Sequence, residues 1–267
     1  MSGDSRPIGV FDSGIGGLTV LRELVHAFPQ ESFLYLGDTA RLPYGSKSAA
    51  TIRKYTEQNM DYFIRENVKA IVIACNSASA QFMEPSYKDI PVYNVIEPGA
   101  QVALAKSQSK RIGVLATRAT VQSKAYTMEI LKHEAQAQVF DIACPLFVPL
   151  AEEGWDADPV TNLIVYRYVS QILPQHVDTI ILGCTHYPLL RNSIERVTGN
   201  SIALVDSGEA VTQLLLRDFA NGRIKAADSN LGAAVKVCTT DFSEHFNNLA
   251  LRILRPLTID SFEVVSI

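Results

Sequence analysis

Two strand-like runs of this chain are answered by similar runs about a hundred residues later. Ile8-Gly9-Val10-Phe11-Asp12-Ser13 is echoed by Ile112-Gly113-Val114-Leu115-Ala116-Thr117, 104 positions on, and Ala70-Ile71-Val72-Ile73-Ala74-Cys75 by Thr179-Ile180-Ile181-Leu182-Gly183-Cys184, 109 positions on. Buried strands draw on a small apolar alphabet, so one echo would mean little. Two in the same order at nearly one offset point to a duplicated α/β half.

The rest of the chain fits that reading. Ile8 to Phe11, Ser32 to Leu36, Ala70 to Ala74, Arg111 to Ala116 and Thr179 to Leu182 read as strands, several apolar throughout, as in parallel sheets covered on both faces. Between them Leu18, Leu21, Leu24 and Val25 share a helix face, as do Ile52, Tyr55, Phe63 and Ile64, then Ile164, Tyr168 and Ile172. The expected fold is α/β: two pseudo-symmetric parallel-sheet lobes with the active site in the cleft between them. Lobe boundaries are expected near Glu97-Pro98-Gly99, where a helix-breaking pair follows a strand-like Val92 to Ile96, and near Asp206-Ser207-Gly208. Residues 1–97 plus 208–267 then form the first lobe and 98–207 the second. The tail, with a helix around Val211, Leu214 and Leu215 and strand-like Ala234 to Cys238 and Phe262 to Ile267, is expected to complete the first.

Composition narrows the function. With 47% hydrophobic and 19% charged residues, the 267-residue chain has a real core, and a net charge of −4 provides no basic field for nucleic acid or anionic membrane. A small-molecule partner is expected. No apolar run approaches a membrane span and the N-terminus lacks a secretory signal, so a reducing cytoplasm is expected. Cys75, Cys144, Cys184 and Cys238 lie 69, 40 and 54 positions apart, which disfavours a disulfide framework or a zinc site.

Ligands of parallel α/β sheets bind beyond the C-terminal strand ends. There the sequence has Asp12 to Gly17, Asp38 to Gly45, Cys75-Asn76-Ser77 and Cys184-Thr185-His186. The repeat-related strands both end in cysteine, so facing lobes would bring two thiols to one cleft from opposite sides. A thiolate can remove a proton from one face of a carbon while a neutral thiol returns one to the other, inverting a stereocentre with no metal or organic cofactor. Only about 3% of a free thiol is charged at pH 7, so the base needs support, and Pro188 suggests a helix N-terminus after Cys184. Asp12 is placed to accept a thiol proton or bind an ammonium, or simply to cap a helix. His186 is placed to exchange a proton with Cys184. Ser13, Asn76, Ser77 and Thr185 suit a carboxylate and the charge that develops on it. Gly14, Gly16 and Gly17 form an incomplete dinucleotide fingerprint, because Thr19 stands at the last glycine position; an anion-binding turn for a substrate carboxylate is expected instead. Cys144 and Cys238 read as small buried hydrophobes.

The blocks Phe11 to Val20, Gly37 to Gly45, Ala74 to Ser79, Cys144 to Leu150 and Gly183 to Pro188, in that order, resemble the aspartate/glutamate racemase superfamily, and glutamate racemases within it. The resemblance implies cofactor-independent interconversion of L- and D-glutamate, the source of D-glutamate for bacterial peptidoglycan and so for cell-wall shape, by a cytoplasmic homodimer. It implies Cys75 and Cys184 as acid/base thiols assisted by Asp12 and His186. Substrate positions map onto Ser13, Asp38, Pro43, Tyr44, Gly45, Asn76, Ser77 and Thr185. A glutamate after the Val-Pro-Leu segment is also implied; Glu152 is favoured over the adjacent Glu153. Ser77 stands where the family commonly has threonine; the serine keeps the hydroxyl and lacks the methyl. On the residues alone, a cysteine hydrolase with one nucleophilic thiol and a two-lobed amino-acid sensor remain open.

Overall fold

The computed structural model describes residues 3–227 and 234–267. Its strands are β1 (Ile8–Asp12), β2 (Phe33–Gly37), β3 (Ala70–Ile73), β4 (Ser86–Tyr87), β5 (Ile90–Asn94), β6 (Arg111–Ala116), β7 (Gln138–Ala143), β8 (Thr179–Gly183), β9 (Ala203–Asp206), β10 (Val235–Thr239) and β11 (Ser261–Val264). They form a seven-stranded sheet ordered β11-β10-β2-β1-β3-β5-β4 and a four-stranded sheet ordered β7-β6-β8-β9. Pairing is parallel throughout except for the two-residue edge strand β4, which runs against β5. The tail strands β10 and β11 return to the first sheet beside β2.

The repeat extends to register. Ile8 pairs with Ala70 in the first sheet and its counterpart Ile112 with Thr179, the counterpart of Ala70, in the second. β1 lies between β2 and β3 as β6 lies between β7 and β8. The lobes therefore share one three-stranded parallel unit, β2-β1-β3 in the first sheet and β7-β6-β8 in the second, in the two-lobed class expected from the strand pattern.

The strands are apolar at successive positions because both faces of each sheet are covered. Ile8, Val10, Val72 and Tyr35 pack with Leu18, Leu21 and Leu24 of the helix Leu18–Ala27, while Phe11, Ile71, Ile73 and Leu36 pack with Ile52, Met60 and Phe63 of the helix Ala49–Arg65. In the second sheet Leu115, Ile180 and Leu182 face Val165, Val169 and Ile172, and Ile112, Val114 and Ile181 face Ile96, Ala100 and Ile130. Each of the Val, Leu, Ile, Phe and Met side chains among them contributes about 1.5–3 kcal/mol by burial.

At both expected lobe boundaries a helix begins. Glu97-Pro98-Gly99 lies within the first turn of the helix Ile96–Lys106, where a missing proline N–H costs no hydrogen bond. Asp206 caps the helix Ser207–Ala220, accepting from the N–H groups of Gly208 and Glu209 at 2.7 and 3.4 Å. Among the described residues no helix is long and apolar enough to cross a membrane, and no three His, Cys, Asp or Glu side chains gather as a metal site would require.

Candidate active site

The C-terminal strand ends of the two sheets enclose a cavity of about 210 Å³. That is below the roughly 300–1,000 Å³ of sites for drug-sized ligands and suits a small metabolite. The first lobe supplies Ser13 and Gly14 after β1, Pro43, Tyr44 and Gly45 from the turns after β2, and Cys75, Asn76 and Ser77 after β3. The second supplies Thr117 and Arg118 after β6, Glu152 from the helix Phe147–Glu152, and Cys184, Thr185 and His186 after β8. Every expected site residue except Asp12 and Asp38 reaches the wall.

Those two carboxylates stand behind it. Asp12 is fully buried; its Oδ2 accepts from the N–H of Gly14 at 3.0 Å and its Oδ1 from the Thr185 hydroxyl at 3.2 Å, joining β1 to the loop after β8. Asp38, expected to touch substrate, is instead occupied by the protein: it accepts from Arg41 Nε at 2.7 Å, from the Thr240 hydroxyl at 3.1 Å and from the Tyr44 hydroxyl. These contacts hold the Asp38 carboxylate inside the protein, and one of them fixes Tyr44 on the wall.

The glycine turn also differs from expectation. Gly14 alone of its glycines lines the cavity, and its N–H is taken by Asp12, so the turn is not a free anion nest. Gly16 is required by close packing: a Cβ there would lie 2.4 Å from both Thr185 Oγ1 and His186 Nδ1.

The two thiols differ in surroundings. Cys75 is the N-terminal cap residue of the short helix Asn76–Ser79 and its sulfur lies 3.6 Å from Ser13 Oγ. Burial, then the Asp12 charge, pushes its thiol well above the ordinary cysteine range, against hydrogen bonds from Ala78 and Ser13. Cys184 is not at a helix start; a four-residue 3-10 turn, Tyr187–Leu190, precedes the helix Arg191–Thr198, and Pro188 belongs to that turn. Its partner is His186, whose Nδ1 lies 3.9 Å from Sγ and whose Nε2 lies 3.0 Å from Glu152 Oε1. Burial works against the imidazolium, but hydrogen bonds with Cys184 and Glu152 and their charges raise its pKa to about 10. Cys144 and Cys238 are buried and off the wall, and all four cysteines are free.

Thr117, Arg118, Pro145, Val148 and Pro149 also line the cavity, although sequence reasoning gave them no role. For Thr117 the signal existed, because it occupies the place of Ser13 in the repeat. Its hydroxyl is hydrogen-bonded to Ser77 Oγ at 2.9 Å and to Thr120 Oγ1 at 3.1 Å, a patch of hydroxyls contributed by both lobes. Arg118 follows Thr117 with no pattern to mark it.

This geometry has relatives. A sequence profile described as Asp/Glu/Hydantoin racemase matches residues 8–215. A glutamate racemase of Chlorobaculum tepidum is 49% identical over 214 residues, 79% of this chain and 78% of that protein. One from Neisseria meningitidis serogroup A is 42% identical over 268 residues, 99% of this chain and 98% of that one. The crystal structure of glutamate racemase from Francisella tularensis in complex with D-glutamate matches with a TM-score of 0.90 at 35% identity, covering 98% of each chain. With two α/β lobes closing on one cavity and likeness over nearly its whole length, the chain belongs to the Asp/Glu/Hydantoin racemase family and is a racemase.

Proposed function

We propose that this racemase interconverts L- and D-glutamate by two-base proton transfer between Cys75 and Cys184, without a metal or organic cofactor. The observation that carries the reading is that two thiols, at repeat-related strand ends of opposite lobes, line one small cavity. One sulfur as thiolate removes the α-proton, and the other as neutral thiol protonates the opposite face; the reverse reaction exchanges the roles. His186 stands beside Cys184, its Nδ1 3.9 Å from the sulfur, where it can exchange a proton with that thiol. Cys75, with its thiol pushed up by burial and by Asp12, suits the neutral donor in the empty enzyme. Ser13, Asn76, Ser77 and Thr185 hold the carboxylates, while Pro43, Tyr44 and Gly45 shape the wall.

Residues 1–97 with 208–267 and residues 98–207 act in this reading as two units whose seating sets the distance between the thiols. The protein works as a cytoplasmic homodimer and supplies D-glutamate for peptidoglycan. Purified protein without added cofactor is expected to exchange the α-hydrogen of either glutamate enantiomer with D2O. Cys75→Ala and Cys184→Ala are each expected to abolish racemisation. Full racemase activity in either variant would overturn the two-base mechanism, and exchange of aspartate in preference to glutamate would overturn the substrate. Rescue of a D-glutamate-requiring bacterium tests the cellular role.

A further inference from the structure

The floor of the cavity holds a carboxamide gripped from behind. Asn76, at 2% exposure, accepts at Oδ1 from the Tyr126 hydroxyl at 2.6 Å and from the Ser207 hydroxyl at 3.2 Å, and Ser207 is shared with the carbonyl of Leu182 at 3.2 Å. Its Nδ2 is buried and, among the described residues, has no hydrogen-bond partner. A buried donor left unmade is unfavourable, and this one belongs to a residue on the cavity wall, where a bound acceptor would satisfy it.

The grip is itself packed. Tyr126 extends from the helix Ala125–His133 and is 1% exposed. A Cβ on Gly99 would lie 3.1 Å from its Cε1 and 3.3 Å from its hydroxyl oxygen, and a Cβ on Gly183 would lie 3.2 Å from its Cε2. The ring therefore lies against two backbones that carry no side chain. Gly183 stands where the first half of the repeat has Ala74, so the second half gives up a methyl at the place the ring occupies.

We infer that Tyr126 and Ser207 are positioning residues, which orient the Asn76 carboxamide with its NH2 group facing the cavity as a donor to the substrate carboxylate. The inference rests on the carboxylate-binding reading of the cavity given above. The terminal torsion of asparagine is broad and nearly two-fold, so an ungripped amide would present its oxygen as readily as its nitrogen, and an oxygen facing a carboxylate repels it. Asn76 follows β3 of the first sheet, whereas Tyr126 and the Leu182 carbonyl belong to the second unit of the fold. The orientation of the donor is thus tied to the seating of one lobe on the other.

A double-mutant cycle on the intact enzyme tests this. Tyr126→Phe and Ser207→Ala are each made alone and in an Asn76→Ala background, and kcat and KM are measured for both glutamate enantiomers. Tyr126→Phe is expected to lower kcat/KM about tenfold, Ser207→Ala less, and Asn76→Ala on the order of a hundredfold. Neither hydroxyl deletion should cost more than about twofold once Asn76 is gone. Equal losses in both backgrounds would show that the hydroxyls serve only the fold and would overturn the inference. Unchanged kinetics in Asn76→Ala would instead remove the carboxylate reading of Asn76, and the inference with it. Tyr126→Phe keeps the ring in its slot; if it fails to fold, Ser207→Ala, which trims one hydroxyl, completes the same cycle and can overturn the inference in the same two ways.

Discussion

Glu152 Oε1 lies 3.0 Å from Nε2 of His186, tying the helix Phe147–Glu152 to the loop after β8. The other imidazole nitrogen faces the Cys184 sulfur at 3.9 Å, so one ring links a carboxylate at the cavity edge to a thiol on its wall.

The first consequence concerns pH. Burial opposes charge on His186, but hydrogen bonds with Cys184 and Glu152 prevail and place its pKa near 10, above the ordinary 6.5. For a raised basic group the charged form persists through neutrality, and what it contributes, in stability as in activity, is present below about 6.5 and is lost as pH rises through about 10. Removing the Glu152 charge with Glu152→Gln should shift the alkaline limb of kcat/KM to lower pH and leave the acid limb in place. A pH–rate profile checks it; an unmoved alkaline limb would show that His186 does not set that limb.

Asp12 acts on Cys75 in the opposite sense. The Cys75 thiol is pushed up chiefly by burial and next by the Asp12 carboxylate. Asp12→Asn keeps the shape and removes the charge, so more Cys75 should be thiolate at a given pH. In a Cys184→Ala background, peptide mass spectrometry should find Cys75 alkylated by iodoacetamide several times faster at pH 8. An unchanged or slower rate would count against a charge effect of Asp12.

Gly16 is tested by a single methyl. With a Cβ 2.4 Å from both Thr185 Oγ1 and His186 Nδ1, Gly16→Ala must displace both side chains or move its own backbone away from them. Misplacing a catalytic group by about 1 Å costs on the order of a hundredfold. We expect kcat/KM to fall by about that factor while the chain stays folded by circular dichroism. Wild-type kinetics would mean that neither side chain needs its present position.

Away from the cavity, Lys69 and Glu31 form a buried ion pair at 2.5 Å, with side chains 1% and 4% exposed. Lys69 Nζ also donates to the carbonyls of Asp4 and Lys225, and Glu31 Oε1 accepts from the N–H of Ala227. Lys69→Met strands the Glu31 carboxylate and should destabilise the protein by about 3–5 kcal/mol, a fall in Tm of roughly 6–20 °C. Pairing it with Glu31→Leu should recover much of the loss, because two apolar groups leave no unpaired charge. Calorimetry decides; a single variant as stable as the double would contradict the burial argument.

The strands were legible because a strand covered on both faces is apolar at every position, a local property that Ile8 to Phe11 and Thr179 to Leu182 carry in themselves. The duplication was legible as well, and it held down to register. Helix boundaries were less so: Pro98 reads as a break, yet it is harmless in a first turn, and only the chain path shows that a turn begins at Ile96.

What the residue order determined by itself is the class of fold, the duplication and the presence of a cysteine at two equivalent strand ends. The tertiary structure alone decided how those ends meet. It turned Asp38 inward onto Arg41 and Tyr44, set Glu152 rather than Glu153 against His186, added Thr117 to the wall and brought Tyr126 to Asn76. Apolar periodicity is written in near neighbours, whereas these polar contacts join side chains up to fifty positions apart, and no local pattern records which partner a buried oxygen will find.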